Sequence, residues 1–238
     1  MLSNVALSVL DEHIAQGLGG PASTFNDRLK RRRRGLPNYR LIRYADDWCL
    51  VVSGTRAHAE TLKEEAAGVL ATMGLRLSPE KTLITHIDEG LDFLGWRIQR
   101  HRKRGTEKYY VYTYPSRKAL AAVMDKVRTQ YRKTGTDLPF DTLLVQLNRV
   151  LRGWCAYFRP GVSSAVFQYL SSYIWGRVIW WLRRKHPRMT WKDLRRRFCG
   201  GGWWPASGER ELFSPAKVGT TRYRYRRSVI PSPWPTTG

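Results

Sequence analysis

Asp46 and Asp47 stand side by side in LIRYADDWCLVV, residues 41–52, between two short apolar runs. Adjacent carboxylates ~4 Å apart repel by about 4 kcal/mol at an effective dielectric near 20. A hard divalent cation removes that repulsion. Mg2+ takes oxygen ligands and is commonly held by one or two carboxylates together with substrate phosphates. Two such ions about 3.5–4 Å apart align an attacking hydroxyl with a phosphate for in-line displacement. Asp46 and Asp47 are therefore candidate Mg2+ ligands of a nucleotidyl-transfer centre. A bare Asp-Asp also reads as a turn with two solvated acids. The flanks favour the metal: Tyr44-Ala45 precedes the pair and a strongly apolar strand follows it.

Charge is the second feature that bears chemistry. Forty-two Lys and Arg oppose nineteen Asp and Glu, a net +23 with a pI near 10.6. A chain this basic meets a polyanion, with nucleic acid the default; a solvated basic face is the competing reading. Residues 1–141 carry +8, whereas 142–238 carry +15, with only three acids and eight of the ten tryptophans. Arg31, Arg32, Arg33 and Arg34 form one basic run. In RGWCAYFR, residues 152–159, Trp154, Tyr157 and Phe158 recur at helical spacing. Core packing is favoured over base stacking for them, which leaves Arg152 and Arg159 for phosphate. In residues 173–198, Ile174, Trp175, Val178, Ile179, Trp181 and Leu182 make an inner stripe. Arg177, Arg183, Arg184, Lys185, Arg188, Lys192, Arg195, Arg196 and Arg197 make the charged side.

Those side chains need elements to position them. Residues 2–16 predict a helix with Val5, Leu7, Val9, Leu10, Ile14 and Leu18 inward, ended by Gly17, Gly19, Gly20 and Pro21. Residues 28–34 predict a loop or short helix. Residues 39–45 and 48–53 predict a hairpin that turns at the Asp pair. A helix is expected over 56–73, facing inward with Ala59, Leu62, Ala66, Val69 and Leu70. Short strands are expected at 75–87, 91–98 and 108–113. Helices are expected at 116–133, 139–157, 163–184 and 190–198, then an irregular segment to 238 pinned by its aromatics. Strand pairs interrupted by helices and followed by helices alone give an α+β class.

Cys49, Cys155 and Cys199 are far apart and form no Cys-x-x-Cys, so neither a zinc knuckle nor a disulfide framework is expected, and an odd count fits a reducing cytoplasm. His186 before Pro187 reads as a loop residue rather than a ligand. The amphipathic N-terminus, with early acids, is a poor signal peptide. No apolar run approaches ~18 residues, so no membrane partner is expected.

Tyr44-Ala45-Asp46-Asp47 resembles the metal-binding motif of reverse transcriptases. GLRLSPEKT (74–82), FLGW (93–96), LNRVLRGWCAYFR (147–159) and YIWGRVIWWLRRKHP (173–187) follow in the order found in reverse transcriptases encoded by bacterial group II introns, and SNVALSVLDEHI (3–14) resembles their palm helix. The resemblance covers nearly the whole chain. It implies an α+β fold: a partial reverse-transcriptase palm over 1–114, an antiparallel sheet with packed helices, then an all-helical thumb or maturase domain over 115–198. An irregular extension rich in Trp and Arg would occupy 199–238. It further implies Asp46 and Asp47 as Mg2+ ligands and Tyr44 and Ala45 beside the primer terminus. Phe93, Leu94, Gly95 and Trp96 would belong to the hairpin supporting the primer and template. Lys81 would lie near the triphosphate, stabilising or protonating the leaving pyrophosphate; it also reads as a surface lysine in a turn. The arginines then serve structured intron RNA, read through shape, phosphates and 2′-hydroxyls.

The resemblance also calls for a third carboxylate from a strand upstream. Before residue 46 only Asp11, Glu12 and Asp27 occur, none in such a context. The fingers, first palm strand and nucleotide loop are expected to be missing. The isolated chain is thus expected to bind Mg2+ weakly and to synthesise no DNA unless a separate N-terminal reverse-transcriptase piece is supplied. Paired Cys and His of a C-terminal nuclease do not occur. The tail RYRYRRSVIPSPWP (222–235) resembles the end of endonuclease-lacking members, as an edge strand touching RNA or a solvated strand. The expected function is intron RNA binding and help with splicing, in the bacterial cytoplasm. RNA template, DNA primer and DNA target are further partners. A generic basic RNA-binding protein and an inactive retroelement remnant are the alternatives.

Overall fold

The computed structural model describes residues 2–221, which divide into two units, residues 1–89 and 90–238. The first contains α1 (Leu2–Gln16), α2 (Phe25–Arg33), β1 (Asn38–Tyr44), β2 (Asp47–Ser53) and α3 (Arg56–Ala71). β1 and β2 form a two-stranded antiparallel sheet, an element that is marginal in water without cover. Its cover is apolar. Leu7, Leu10 and Ile14 of α1, Tyr39 of β1, and Leu62, Ala66 and Leu70 of α3 share one buried cluster, flanked by Leu41, Trp48, Leu50 and Val52. Of the residues expected inward, Val5 lies outside those whose side chains are described, while Val9 is 46% and Leu18 79% exposed, Leu18 because it lies past the end of α1.

The arginine run is helical rather than looped. α2 starts at Phe25 because the Thr24 side chain accepts a hydrogen bond from the Asp27 N–H, a cap that satisfies an otherwise orphan donor. The expected strand at 75–87 does not form. Pro79 supplies no N–H for a ladder, and the Lys81 and Thr82 N–H groups both turn back to the Ser78 carbonyl.

The second unit begins with an antiparallel sheet of β3 (Leu91–Phe93), β4 (Trp96–Arg102) and β5 (Tyr109–Pro115), in that order. Residues 91–98 are therefore a hairpin, not one strand. Leu94 (φ 50) and Gly95 (φ 80) make its turn, with Phe93 opposite Trp96. Four helices follow: α4 (Arg117–Lys133), α5 (Phe140–Phe158), α6 (Ser164–Lys185) and α7 (Trp191–Phe198). Their core is continuous, from Val123 and Val127 through Leu143, Leu147 and Leu151 to Ile174, Val178, Leu182 and Leu194, each 0–1% exposed. The division at residue 89 places the three-stranded sheet in one unit with the helices.

The segment after residue 198 is more regular than expected. β6 (Ala206–Ser207) and β7 (Arg210–Glu211) pair, and a 3-10 turn spans Pro215–Lys217. Buried Asn148 anchors it: its amide donates to the Glu211 carbonyl (2.9 Å) and its carbonyl accepts from Phe213 N–H (2.7 Å). The basic tail 222–235 lies outside the described residues.

Candidate metal turn and nucleic-acid interface

Register fixes the carboxylate turn. Tyr44 pairs with Asp47, so Ala45 and Asp46 alone connect the strands. Such two-residue turns need positive φ, and Ala45 adopts φ 54 at a steric cost of about 1–2 kcal/mol. Arg43 holds it there. Its Nη1 donates to the Ala45 carbonyl (2.9 Å), while Nε and Nη2 grip both oxygens of Asp11 on α1 at 2.5–3.0 Å. Those hydrogen bonds hold the Arg43 guanidinium above its ordinary pKa. Asp11, one of the three upstream acids, is thereby occupied. Asp27 is also committed, accepting from the Thr24 hydroxyl (2.5 Å), a bond that holds its carboxyl below the ordinary range.

Asp46, Asp47 and Tyr44 are exposed at the tip. Among the described residues no three His, Cys, Asp or Glu side chains converge. The donor set fits a Mg2+ whose remaining ligands are phosphate and water oxygens, and does not fit a cation enclosed by protein alone. Lys81 is exposed in the turn after Pro79, where Thr82's carbonyl accepts from Lys63 Nζ on α3 (3.4 Å). Among the described residues no hydrogen bond joins its ammonium to the carboxylate turn, so the two are not assembled into one constellation.

FLGW is bound up in packing. Trp96 meets Phe158 edge-on (4.8 Å between centroids) and Tyr157 at a tilt (5.8 Å). The Tyr157 hydroxyl donates to the Leu94 carbonyl (2.8 Å), and Ser116 N–H to the Gly95 carbonyl (2.9 Å). A Cβ on Gly161 would strike the Trp96 ring and the Thr113 carbonyl, so glycine is required where α5 turns toward α6. Trp96 is thus a residue that fastens the sheet to α5. Phe93 and Leu94 are only half-buried beside it.

The expected RNA-facing cations are distributed unevenly. Arg183 lies over Trp191, Arg184 over Trp180, Arg177 over Tyr173, Arg152 over Phe213 and Arg195 over Trp203, at 4.9–5.6 Å from the ring centroids. Arg197 lies over Phe198, and Arg196 pairs with Asp193 (3.3 Å). Arg188 and Lys192 are exposed, as are Arg32, Arg33 and Arg34. Three others are tied to backbone carbonyls: Lys185 to Thr136 and Leu138, Arg31 to Pro37, and Arg159 to Gly219. Of the aromatic trio, Phe158 is buried and Trp154 packs on it and on Phe167, as core packing requires, but Tyr157 is 51% exposed.

The profile of the group II intron, maturase-specific domain family matches residues 120–199, from within α4 to just past the end of α7. These residues are a group II intron maturase-specific domain. Protein YkfC of Escherichia coli K12 is 36% identical over 148 residues, which cover 54% of this chain and 39% of YkfC. The group II intron-encoded protein LtrA of Lactococcus lactis subsp. cremoris is 40% identical over 68 residues, 28% of this chain and 11% of LtrA. An uncharacterized 91 kDa protein in the cob intron of Schizosaccharomyces pombe is 28% identical over 134 residues, 49% of this chain and 16% of that protein. The chain therefore spans less than half the length of these relatives. No helix among the described residues is long and apolar enough to cross a membrane.

Sequence reading missed one surface ahead of the maturase-specific domain. β4 and β5 project as a ribbon with Tyr109, Tyr110 and Val111 46–60% exposed, Arg100 over Tyr109, and Arg102, Lys103, Arg104 and Lys108 toward its tip. Alternation in KYYVYTY, opposite the run HRKR, was the available signal: Tyr110, Tyr112 and Tyr114 share one face of β5, and Tyr109 and Val111 the other.

His186 ends α6 as the expected loop residue, yet it is not a solvated one. Its ring stacks on Phe198 (5.0 Å, 24°), and its buried Nε2 has no hydrogen-bond partner among the described residues. Burial, then Arg197 and Lys185, push its pKa below 6.5. The neutral ring is the form the fold accepts. As pH falls through about 6.5 the unfolded chain takes up the proton first, so stability is full above that value and declines toward the lower folded pKa. His186→Phe is expected to shrink the loss of Tm between about pH 7.5 and about pH 5.5 relative to the parent. Parallel Tm profiles for the two proteins would remove His186 from that role.

Proposed function

We propose that the chain binds folded group II intron RNA through its maturase-specific domain and stabilises the RNA in its splicing-active form, the RNA itself performing the transesterifications. The observation that carries this reading is the set of arginines laid over aromatic rings along α6 and α7. A guanidinium already ordered on a ring loses less freedom when it meets a phosphate, and its planar fork suits phosphate oxygens. Folded RNA presents phosphates and 2′-hydroxyls rather than base edges, which fits a rigid cationic platform. The three free thiols suit a reducing cytoplasm, the proposed location. Neutralising about six phosphates gives a slope of log K against log salt of roughly −4. Titration of an intron RNA at several KCl concentrations measures it, and a slope near zero refutes the reading.

A second reading, favoured by the carboxylate turn, is an RNA-directed DNA polymerase completed by a separate N-terminal piece, acting on RNA template and DNA primer at a DNA target. Asp46 and Asp47 would hold Mg2+, which supplies Lewis-acid stabilisation of charge on the reacting phosphate. Arg43 would keep their turn fixed, and Tyr44 would stand exposed beside the primer end.

A further inference from the structure

We infer that the cleft between α6 and the segment 203–216 is a stacking pocket for one unpaired base of the bound RNA, with Trp203 as its platform. This rests on the RNA-binding reading and adds to it a contact that reads an unpaired nucleotide. The cleft has a volume of about 820 Å³, is broadly open to solvent as a stacking face must be, and none of its lining residues is acidic. Trp175, Trp203 and Trp204 supply aromatic walls, and Gln168 and Ser172 supply polar groups at its margin. Among the described aromatics of this unit Trp203 is the most exposed, at 62%.

Two of the three rings are fixed in advance. Trp175 Nε1 donates to the Trp203 carbonyl (2.7 Å), and Trp204 Nε1 to the Leu212 carbonyl (2.5 Å). With those two N–H groups satisfied, what the walls offer a ligand is π surface, which suits stacking. Arg195 lies over the Trp203 ring (4.9 Å), Trp191 leans on it (6.2 Å), and Arg183 lies over Trp191 (5.5 Å). Cations therefore flank the pocket where the phosphates of a splayed-out nucleotide must pass. An apolar protein segment would leave these guanidinium groups without counter-charge; a nucleotide matches both halves. A Cβ on Gly176, in the α6 wall, would meet nothing within 4 Å, so the pocket is open there. Bases splayed out of folded RNA commonly stack on aromatic side chains in this way.

The test compares the full chain on two RNA hairpins, one fully paired and one carrying a single bulged 5-iodouridine. The bulged hairpin is expected to bind about tenfold tighter, in line with the known worth of one base–aromatic stack, and light should crosslink its base to the peptide containing Trp203. Trp203→Ala should abolish the preference, Trp203→Phe should keep most of it, and Gly176→Leu, which fills the pocket while retaining Trp203, should abolish it. Equal affinity for both hairpins, a crosslink elsewhere, or variants that weaken both hairpins alike would overturn the pocket while leaving the RNA-binding reading in place. Failure to bind either hairpin or an intron RNA in a salt-dependent manner would overturn both.

Discussion

Replacing Trp181 with alanine is expected to destabilise the unit that holds the maturase-specific domain by about 3–5 kcal/mol and to lower its Tm by about 10 °C. The indole is 2% exposed and stacks on Phe140 (6.0 Å) at the base of α5. Its Nε1 donates to the carbonyl of Thr134 (3.2 Å), a residue wholly buried at the end of α4. Lys185 spans the same place, donating to Thr136 and Leu138 while its ammonium lies 5.5 Å from the ring. One side chain of α6 thus fills the core and satisfies the connection between α4 and α5. Trp181→Phe retains most of the volume but loses the donor, so its cost should be near 1–2 kcal/mol. Thermal and urea unfolding of the three proteins measure the order. A Tm change under about 3 °C for the alanine variant would show that the site collapses around the loss.

The purified chain is expected to add no nucleotide to a DNA primer on an RNA template in Mg2+. Its turn offers two carboxylates, and Asp11 is held by Arg43 at close range. A cation left to two exposed carboxylates and phosphates binds weakly. When a complementary N-terminal reverse-transcriptase piece is added, extension should appear, and Asp46→Asn should then reduce it by about a thousandfold, since metal stabilisation of the reacting phosphate is worth several kcal/mol. Asp46→Asn leaves the Arg43 network untouched, so folding is preserved. Extension by the chain alone that Asp46→Asn abolishes would contradict the first expectation. Complemented extension indifferent to Asp46 would remove the carboxylate turn from catalysis.

Much of this was legible in the sequence where periodicity and turn chemistry agree. The helices of the maturase-specific domain follow from apolar spacing, with Leu143, Leu147 and Leu151 recurring every fourth residue and Ile174, Val178 and Leu182 doing the same. The hairpin at Asp46 followed from two apolar strands meeting at a short polar joint. What failed was local pattern without partners. Residues 75–87 alternate like a strand, but a strand needs a neighbour, and Pro79 blocks one. The apolar pattern of 91–98 read as one strand because Leu94 gives no sign of a positive φ; the resemblance, not the pattern, implied a hairpin at FLGW. Cation–ring pairing was invisible for a different reason. Arg152 and Phe213 are distant in sequence and meet through tertiary packing alone, unlike Arg177 over Tyr173 and Arg184 over Trp180, which lie one helical turn apart on α6. Lys185 and Arg31 looked like their neighbours in a basic run, yet carbonyls of nearby loops claim them.

The glycine at 161 carries an implication for descent. Its bare backbone admits the Trp96 indole, and the next residue, Val162, donates to the Thr113 carbonyl at 2.7 Å. The joint after α5 is therefore shaped by strands that precede the conserved-domain match at residue 120. Recombination that transplants the helices without residues 91–115 would strip Trp96 from Phe158 and leave an aromatic socket facing water. The packing unit is the sheet and helices together, and chimeras joined near residue 90 should stay soluble where those joined near 116 precipitate.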